Sequence, residues 1–329
     1  MIDTILSPII WATSFVMMLW HRAFGAIFGS GSSTSWVLSI IFLTITIRAA
    51  MIPLFRKQIK SMQNMQRLQP QIQALQKKYK LDKQKLQQEM MKLYKDNGTS
   101  PFASCMPILL QTPFFMGLYR VLSHVASGNA VGALSKDDSI NAMHASFFGA
   151  PLSLSFLHHT PAQMEKIGVT SVTNLQVVAV IMAIIYATSQ FLTQRMMMAK
   201  NTSLDNSVPN PMMQSQKIML YVMPFGMLFF SLNVQIGVVL YLMTTNVWTI
   251  GQQFYTLRNS PMPGSQAEKE MLARRKAKDE RKREEQIAKD PEAAREMATA
   301  NGSSSTQDKV PVSRQRQQPV RTSRSKRKK

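Results

Sequence analysis

Apolar runs at 36–55, 102–122, 172–192, 218–232 and 236–254 alternate along the chain with polar, largely basic stretches. Four of the five reach nineteen to twenty-one residues, the length at which a helix rising about 1.5 Å per residue crosses a hydrocarbon core of about 30 Å. The run 218–232 spans only fifteen residues, about 22 Å of helix, which predicts local thinning of the bilayer or help from its polar ends. Pro107 and Pro113 interrupt the second run, and Asn233-Val234-Gln235 leaves a very tight turn between the last two.

The polar stretches have patterns of their own. Between 56 and 95, Ile59, Met62, Met65, Leu68, Ile72, Leu75 and Tyr79 recur at spacings of three and four, and Leu86, Met90 and Leu93 form a second stripe. Two antiparallel helices packed as a hairpin follow from this, with Asp82 as N-cap of the second and Pro70 kinking the first. Asn97-Gly98-Thr99-Ser100-Pro101 is a turn. Residues 1–30 carry ILSPIIWATSFVMMLW, shorter than a span, with Asp3 and no basic leader or small-residue cleavage site. They read as an amphipathic helix lying at the membrane surface, with a true span as the rival, joined to the next helix by a flexible Gly29–Ser35 linker. An apolar patch at 147–157 within the polar loop 123–170 is placed at the bilayer surface.

Composition sharpens this division. Of 329 residues, 45% are hydrophobic, and 39 Lys and Arg face 18 Asp and Glu for a net charge of +21. The basic excess falls in two blocks. Arg56, Lys57, Lys60, Arg67, Lys77, Lys78, Lys80, Lys83 and Lys85, with Lys92 and Lys95, meet only Asp82 and Glu89, and the tail from Arg258 carries twenty basic against ten acidic residues. The positive-inside rule puts both blocks, and the Met-rich connection 196–217, in the cytoplasm, since the loops at 123–170 and 233–235 hold only Lys136 and Lys166. Five spans then leave the N-terminus outside. The first part of the tail has Glu and Lys/Arg at helical spacing; beyond Asn301 it is Ser-, Gln- and Arg-rich and reads as disordered.

Enzyme chemistry finds little support. Cys105 is the single cysteine, the five histidines lack metal-ligand spacing, and no GxSxG, Walker or GxGxxG pattern occurs. No cofactor or metal is expected. The informative residue is Arg48, alone in an otherwise uncharged run. Estimates for a central arginine range from about 2.5 to over 10 kcal/mol, so such a residue faces protein or water rather than lipid. The runs offer it Thr44, Gln111, Gln190 and Asn246 among other polar side chains, and no carboxylate. Arg48 is thereby left available to an external anion, at about 4 kcal/mol of attraction for a carboxylate 4 Å away at an effective dielectric of 20. A carrier coupled to protons or ions would place carboxylates in its spans.

The string PLFRKQIKSMQNMQRLQPQIQALQKKYKLDKQKLQQEMMKLYKDNGTSPFASCMPILLQTPFF, following an arginine in the first core run, and the later LYLMTTNVWTIGQQF resemble the YidC/Oxa/Alb family of membrane protein insertases over about 36–258. The resemblance implies an all-α, polytopic membrane protein. Its parts would be an interfacial helix at 1–30, a five-helix insertase core at 31–258 with the cytoplasmic hairpin at 56–95, and a basic cytoplasmic tail at 259–329. It further implies a hydrophilic groove in which Arg48 receives polar parts of nascent membrane proteins while their hydrophobic segments pass into the lipid bilayer. Gln190 and Tyr241 fall near groove positions, the hairpin basic residues take early substrate contact, and the tail contacts the ribosome through rRNA. The Sec translocon is an implied partner, and the form is similar to that of Gram-positive, actinobacterial members in the cell membrane. Where relatives have Pro-Ala-Gly before the last span, this chain has Val234-Gln235-Ile236-Gly237. A small-anion carrier or channel using Arg48, and a scaffold that only tethers ribosomes, remain the alternatives.

Overall fold

The structure, a computed structural model, describes residues 2–99, 106–168, 172–201, 211–261 and 263–289. Ser100-Pro101 of the expected turn, Cys105 with the start of the second run, the middle of the Met-rich connection and the basic end of the tail lie outside the described residues. The fold is mostly helical. Twelve helices are described, together with one two-stranded antiparallel sheet. Two compact units divide the chain, Met1–Met271 and Leu272–Lys329.

In the first unit, α1 (Ile2–Phe28) packs on α2 (Ser33–Ala50) and α6 (Met106–Ala126), while α11 (Ile236–Asn259) packs on α2, α6 and α9 (Val172–Asn201). α10 (Pro211–Asn233) leans on α9. The buried core joins α1, α2, α6, α9 and α11 through Met17, Trp36, Ile40, Leu118, Leu175 and Val238, with no residue of α10 among its described members. α10 instead exposes Tyr221, Val222, Phe225 and Phe229. By length and composition, Ser33–Ala50 and Val172–Ala199 are apolar enough to cross a bilayer.

The expected continuous helix at 36–55 is broken. α2 ends at Ala50, Met51 takes φ −84° and ψ −5°, and α3 (Ile52–Arg67) starts with Pro53 in its first turn. Pro53 has no N–H to continue the ladder, which explains the break. The first hairpin helix is likewise two helices, α3 and α4 (Gln69–Lys78), parted at Leu68 just ahead of Pro70. α4 packs on α5 (Lys83–Asp96), whose N-cap Asp82 accepts from the Lys85 N–H at 3.0 Å. The fourth run also differs from expectation. α10 begins at Pro211 and has 23 residues, about 34 Å, so the helix itself is not short even though its apolar part, Leu220–Asn233, is. Between α1 and α2 the serine-rich linker is a tight turn, in which Ser32 Oγ accepts from the Thr34 N–H.

The patch at 147–157 does not lie on the surface as a whole. β1 (Ser146–Phe147) pairs with β2 (Ala150–Pro151), and Ala150, Leu152 and Leu154 are at most 2% exposed within the main core, while Phe148 and Leu157 stay outside. The connection also carries α7 (Lys136–Met143) and α8 (Pro161–Ile167). Its inward half caps the start of α11. Ile236 N–H donates to the Leu154 carbonyl and Gly237 N–H to the Leu152 carbonyl, both at 2.8 Å, and Gln235 Nε2 donates to Ser123 Oγ at 2.9 Å. This arrangement fixes the tight α10–α11 turn.

At the hairpin root, Gln63 Nε2 donates to the carbonyls of Ser260 and Pro261 at 2.8 and 3.0 Å, so the segment after α11 straps onto α3. Phe55, Leu68, Tyr94, Leu257 and Ala267 are buried outside the main core. Burial pushes the Tyr94 phenol above its ordinary pKa. The helix α12 (Gln266–Lys289) follows; within the second unit its described part is exposed and charged, with an Arg281–Glu285 pair at 3.3 Å.

Two outcomes follow. A Cβ at Gly237 would meet Leu122 Cδ1 at 2.8 Å and the Leu152 carbonyl at 3.1 Å, whereas one at Gly226 meets nothing within 4 Å. Gly237→Ala should destabilise the protein by about 1–3 kcal/mol, seen as a lower thermal midpoint in detergent, and Gly226→Ala should leave or slightly raise it. Ending the chain after Met271 should preserve the protease resistance of the hairpin, and ending it after Asn259, which removes the strap, should lower it.

Candidate functional site

Arg48 lies in the last turn of α2, where a cation complements the carbonyl end of the helix dipole. The break at Met51 brings Phe55 back over it. Arg48 Cζ sits 5.5 Å from the Phe55 ring centroid, and the residue is 8% exposed. It therefore does not reach outward, although its helix ends within one turn. Its electrostatic neighbours are the phenols Tyr241 on α11 and Tyr186 on α9, both buried. Among the described residues no carboxylate pairs with Arg48, and its Nε has no hydrogen-bond partner.

The surrounding helices add polar atoms. Gln111 of α6 donates through Nε2 to the Tyr241 hydroxyl, tying α6 to α11 beside the arginine. Its Oε1 remains unpartnered, as do both amide atoms of Asn246, which is 4% exposed. Thr44 lies one turn before Arg48, but its hydroxyl donates to the Ile40 carbonyl at 2.7 Å and offers the site no free donor. An unsatisfied buried polar group costs about 1–3 kcal/mol, so the Arg48, Gln111 and Asn246 atoms represent hydrogen-bonding capacity that the folded chain leaves unused.

The expected site residues divide into two groups in space. Arg48, Thr44, Gln111, Tyr241 and Asn246 stand on α2, α6 and α11, with α11 packed against both of the others. Gln190 is half-buried on α9, one turn beyond Tyr186, and Tyr186 is the α9 side chain within electrostatic reach of Arg48. Sequence reasoning missed Tyr186, although a hydroxyl-bearing ring amid Ala, Ile and Val in α9 was a usable signal. Arg56, Lys57, Lys60, Arg67, Lys77, Lys78, Lys80, Lys83 and Lys85 are all exposed on the hairpin. Lys78 and Lys85 flank the Tyr79 ring at 5.2 and 5.7 Å. Among the described residues no cluster of three or more His, Cys, Asp or Glu could hold a metal ion.

A second feature lies between α6 and α10. A cleft of about 310 Å³ is lined by Phe115, Met116, Tyr119, His158, Phe230 and Asn233, with the Phe115 and Phe230 rings 5.6 Å apart. Helices α6 and α10 therefore meet through aromatic side chains rather than through a continuous buried seam.

The family model described as 60Kd inner membrane protein matches residues 27–263. Over 275 residues the chain is 44% identical to the membrane protein insertase YidC of Streptomyces avermitilis, a match covering 83% of this chain. It spans 63% of that relative's length. Over 280 residues it is 34% identical to the membrane protein insertase YidC of Tropheryma whipplei, covering 81% of this chain and 87% of the relative. A crystal structure described as an active YidC insertase with its first transmembrane domain resolved is similar at 23% identity and a TM-score of 0.41, covering 77% of this chain and 46% of that one. The extent of the family match and the identity to the actinobacterial relatives place the chain in the YidC/Oxa/Alb family of membrane protein insertases, in its actinobacterial YidC form.

Proposed function

We propose that the chain inserts membrane proteins without chemical catalysis, by receiving the polar parts of a nascent protein at Arg48 and releasing its hydrophobic segments to the bilayer. The observation that carries this reading is Arg48 itself, buried among Tyr186, Tyr241 and Gln111 with no acidic partner among the described residues. A cation neutralised by its own protein has little left for a passing chain. This one keeps its charge, and Asn246 and Gln111 keep unused hydrogen-bonding atoms. A polar peptide segment entering such a groove exchanges water for these groups rather than for hydrocarbon, which lowers the cost of crossing.

In this reading α2, α6, α9, α10 and α11 are the five spans, α1 lies along the outer interface, and the hairpin, the Met-rich connection and the tail are cytoplasmic, leaving the N-terminus outside. The distribution of Lys and Arg supports the orientation. Trp11, Phe15 and Leu19, exposed at four-residue spacing on α1, suit a helix with one face in the interface. The aromatic cleft between α6 and α10 is the exit toward lipid, because α10 lies outside the core and exposes its own aromatic face. The exposed hairpin cations and the basic tail make the first contacts with the nascent chain and the ribosome, and insertion proceeds alone or beside the Sec translocon. The anion-carrier alternative is not favoured, since the relatives are insertases by name.

The test is reconstitution of the full chain in liposomes with translation of a short single-span protein whose translocated end is acidic. The wild type should protect that end from protease. Arg48→Ala should lower the protected fraction severalfold at equal reconstitution and Arg48→Lys should restore most of it, the lysine keeping the charge at the same depth. Equal protection by wild type and the alanine variant would remove Arg48 from the mechanism, and saturable flux of a small anion without protection would replace insertase by carrier.

A further inference from the structure

Toward the C-terminal end of α9, with a lining that includes none of the groove residues above although Gln190 lies on the same stretch of helix, a cleft of about 540 Å³ opens between α9 and α11. Its lining includes Leu192, Thr193, Arg195, Met196 and Ala199 of α9 and Ile250 of α11. The volume falls within the roughly 300–1,000 Å³ of ligand sites. Its walls are apolar. Leu192 and Met196 are exposed there, and the Thr193 hydroxyl is satisfied within its own helix, donating to the Ser189 carbonyl at 2.7 Å. The residue after Ile250, Gly251, has no atom within 4 Å of the position a Cβ would take, so no side chain of its own narrows the space beside the cleft.

The single charge in this lining is Arg195, exposed on the outer surface of α9. Neither α9 nor α11 contains an acidic residue to compete for it. From Ser189 to Ala199 the α9 wall runs eleven residues, about 15 Å of helix. An apolar slot of that length beside one guanidinium suits an amphiphile with an acyl chain and an anionic head. A peptide suits it poorly, because its N–H and C=O groups would be left without partners along these walls, whereas an acyl chain has none to satisfy.

We propose that this cleft seats one anionic phospholipid of the cytoplasmic leaflet, its acyl chain lying between α9 and α11 and its phosphate on Arg195. The leaflet assignment rests on the membrane placement proposed above, in which the C-terminal end of α9 is cytoplasmic, the side on which anionic lipids and basic inter-helix pockets meet. A guanidinium pairs with phosphate oxygens through two parallel N–H donors, which gives the site its preference for a charged headgroup.

Native mass spectrometry of the purified full chain in detergent, titrated with phosphatidylglycerol or phosphatidylcholine of identical acyl chains, tests the site. The wild type should retain one phosphatidylglycerol saturably, with a preference of about tenfold over phosphatidylcholine. Arg195→Gln should abolish the preference while keeping tail-dependent binding, Arg195→Lys should recover part of it, and Ile250→Trp or Ala199→Trp, which fill the slot, should remove retention of both lipids. A wild type that binds the two lipids equally, a preference unchanged in Arg195→Gln, or saturable retention that persists in both tryptophan variants with unaltered melting would overturn the proposal. Binding in micelles does not depend on how the chain sits in a bilayer. Failure here therefore removes the site alone, whereas failure of the Arg48 series removes the functional reading and leaves the lipid site standing.

Discussion

Moving a guanidinium from water into hydrocarbon costs from about 2.5 to over 10 kcal/mol, and a buried one survives only where protein or water takes over its solvation. Arg48 is 8% exposed in a helix whose other residues are uncharged. The surrounding structure meets that demand in part. Phe55 offers the face of its ring, Tyr186 and Tyr241 bring phenol oxygens from two other helices, and Gln111 holds Tyr241 in place. Among the described residues no carboxylate pairs with Arg48, so the guanidinium is not held in a structural ion pair there.

Several features otherwise unrelated in sequence bear on that one residue. Pro53 ends α2 just beyond Arg48 and lets the chain turn back so that Phe55 covers it. The loop residues Leu152 and Leu154 cap the start of α11 and so set the level at which Tyr241 and Asn246 stand. Gly237 allows the close approach of Leu122 and of the Leu152 carbonyl on which this depends. On the other side of α11, the strap at Ser260 and Pro261 ties its C-terminal end to the root of the hairpin through Gln63. The hairpin that presents eleven exposed basic residues is thus joined to the helix that bears Tyr241 and Asn246.

Much of this was legible in the residues. Most helix positions followed from apolar run length, the Asp82 cap from its place before a second stripe, and the lack of a carboxylate beside Arg48 among the described residues from the absence of acidic residues in the apolar runs. Three things were not. The break at Met51 was hidden because 36–55 reads as one long hydrophobic run, and hydropathy does not register the missing N–H of Pro53. The inward half of the 147–157 patch was placed at the bilayer surface because a short apolar stretch in a polar loop has no period to reveal which side it buries; only the pairing of Leu152 and Leu154 with Gly237 and Ile236 decides it. Tyr186 escaped because a tyrosine in an aliphatic helix reads equally well as core, and its role depends on a neighbour 138 positions away along the chain.

The central claim is that the space beside Arg48 is wet from the cytoplasm and is used by a passing chain. It is tested most directly by cysteine labelling with a membrane-impermeant maleimide applied to inside-out vesicles, in a Cys105→Ser background. Gln190→Cys, half-buried one turn from Tyr186, should react nearly as fast as Lys83→Cys on the hairpin, and a ribosome-stalled single-span nascent chain should slow it. Labelling at position 190 as slow as at Ile184→Cys, an exposed apolar position on the same helix, and indifferent to the nascent chain, would contradict the account.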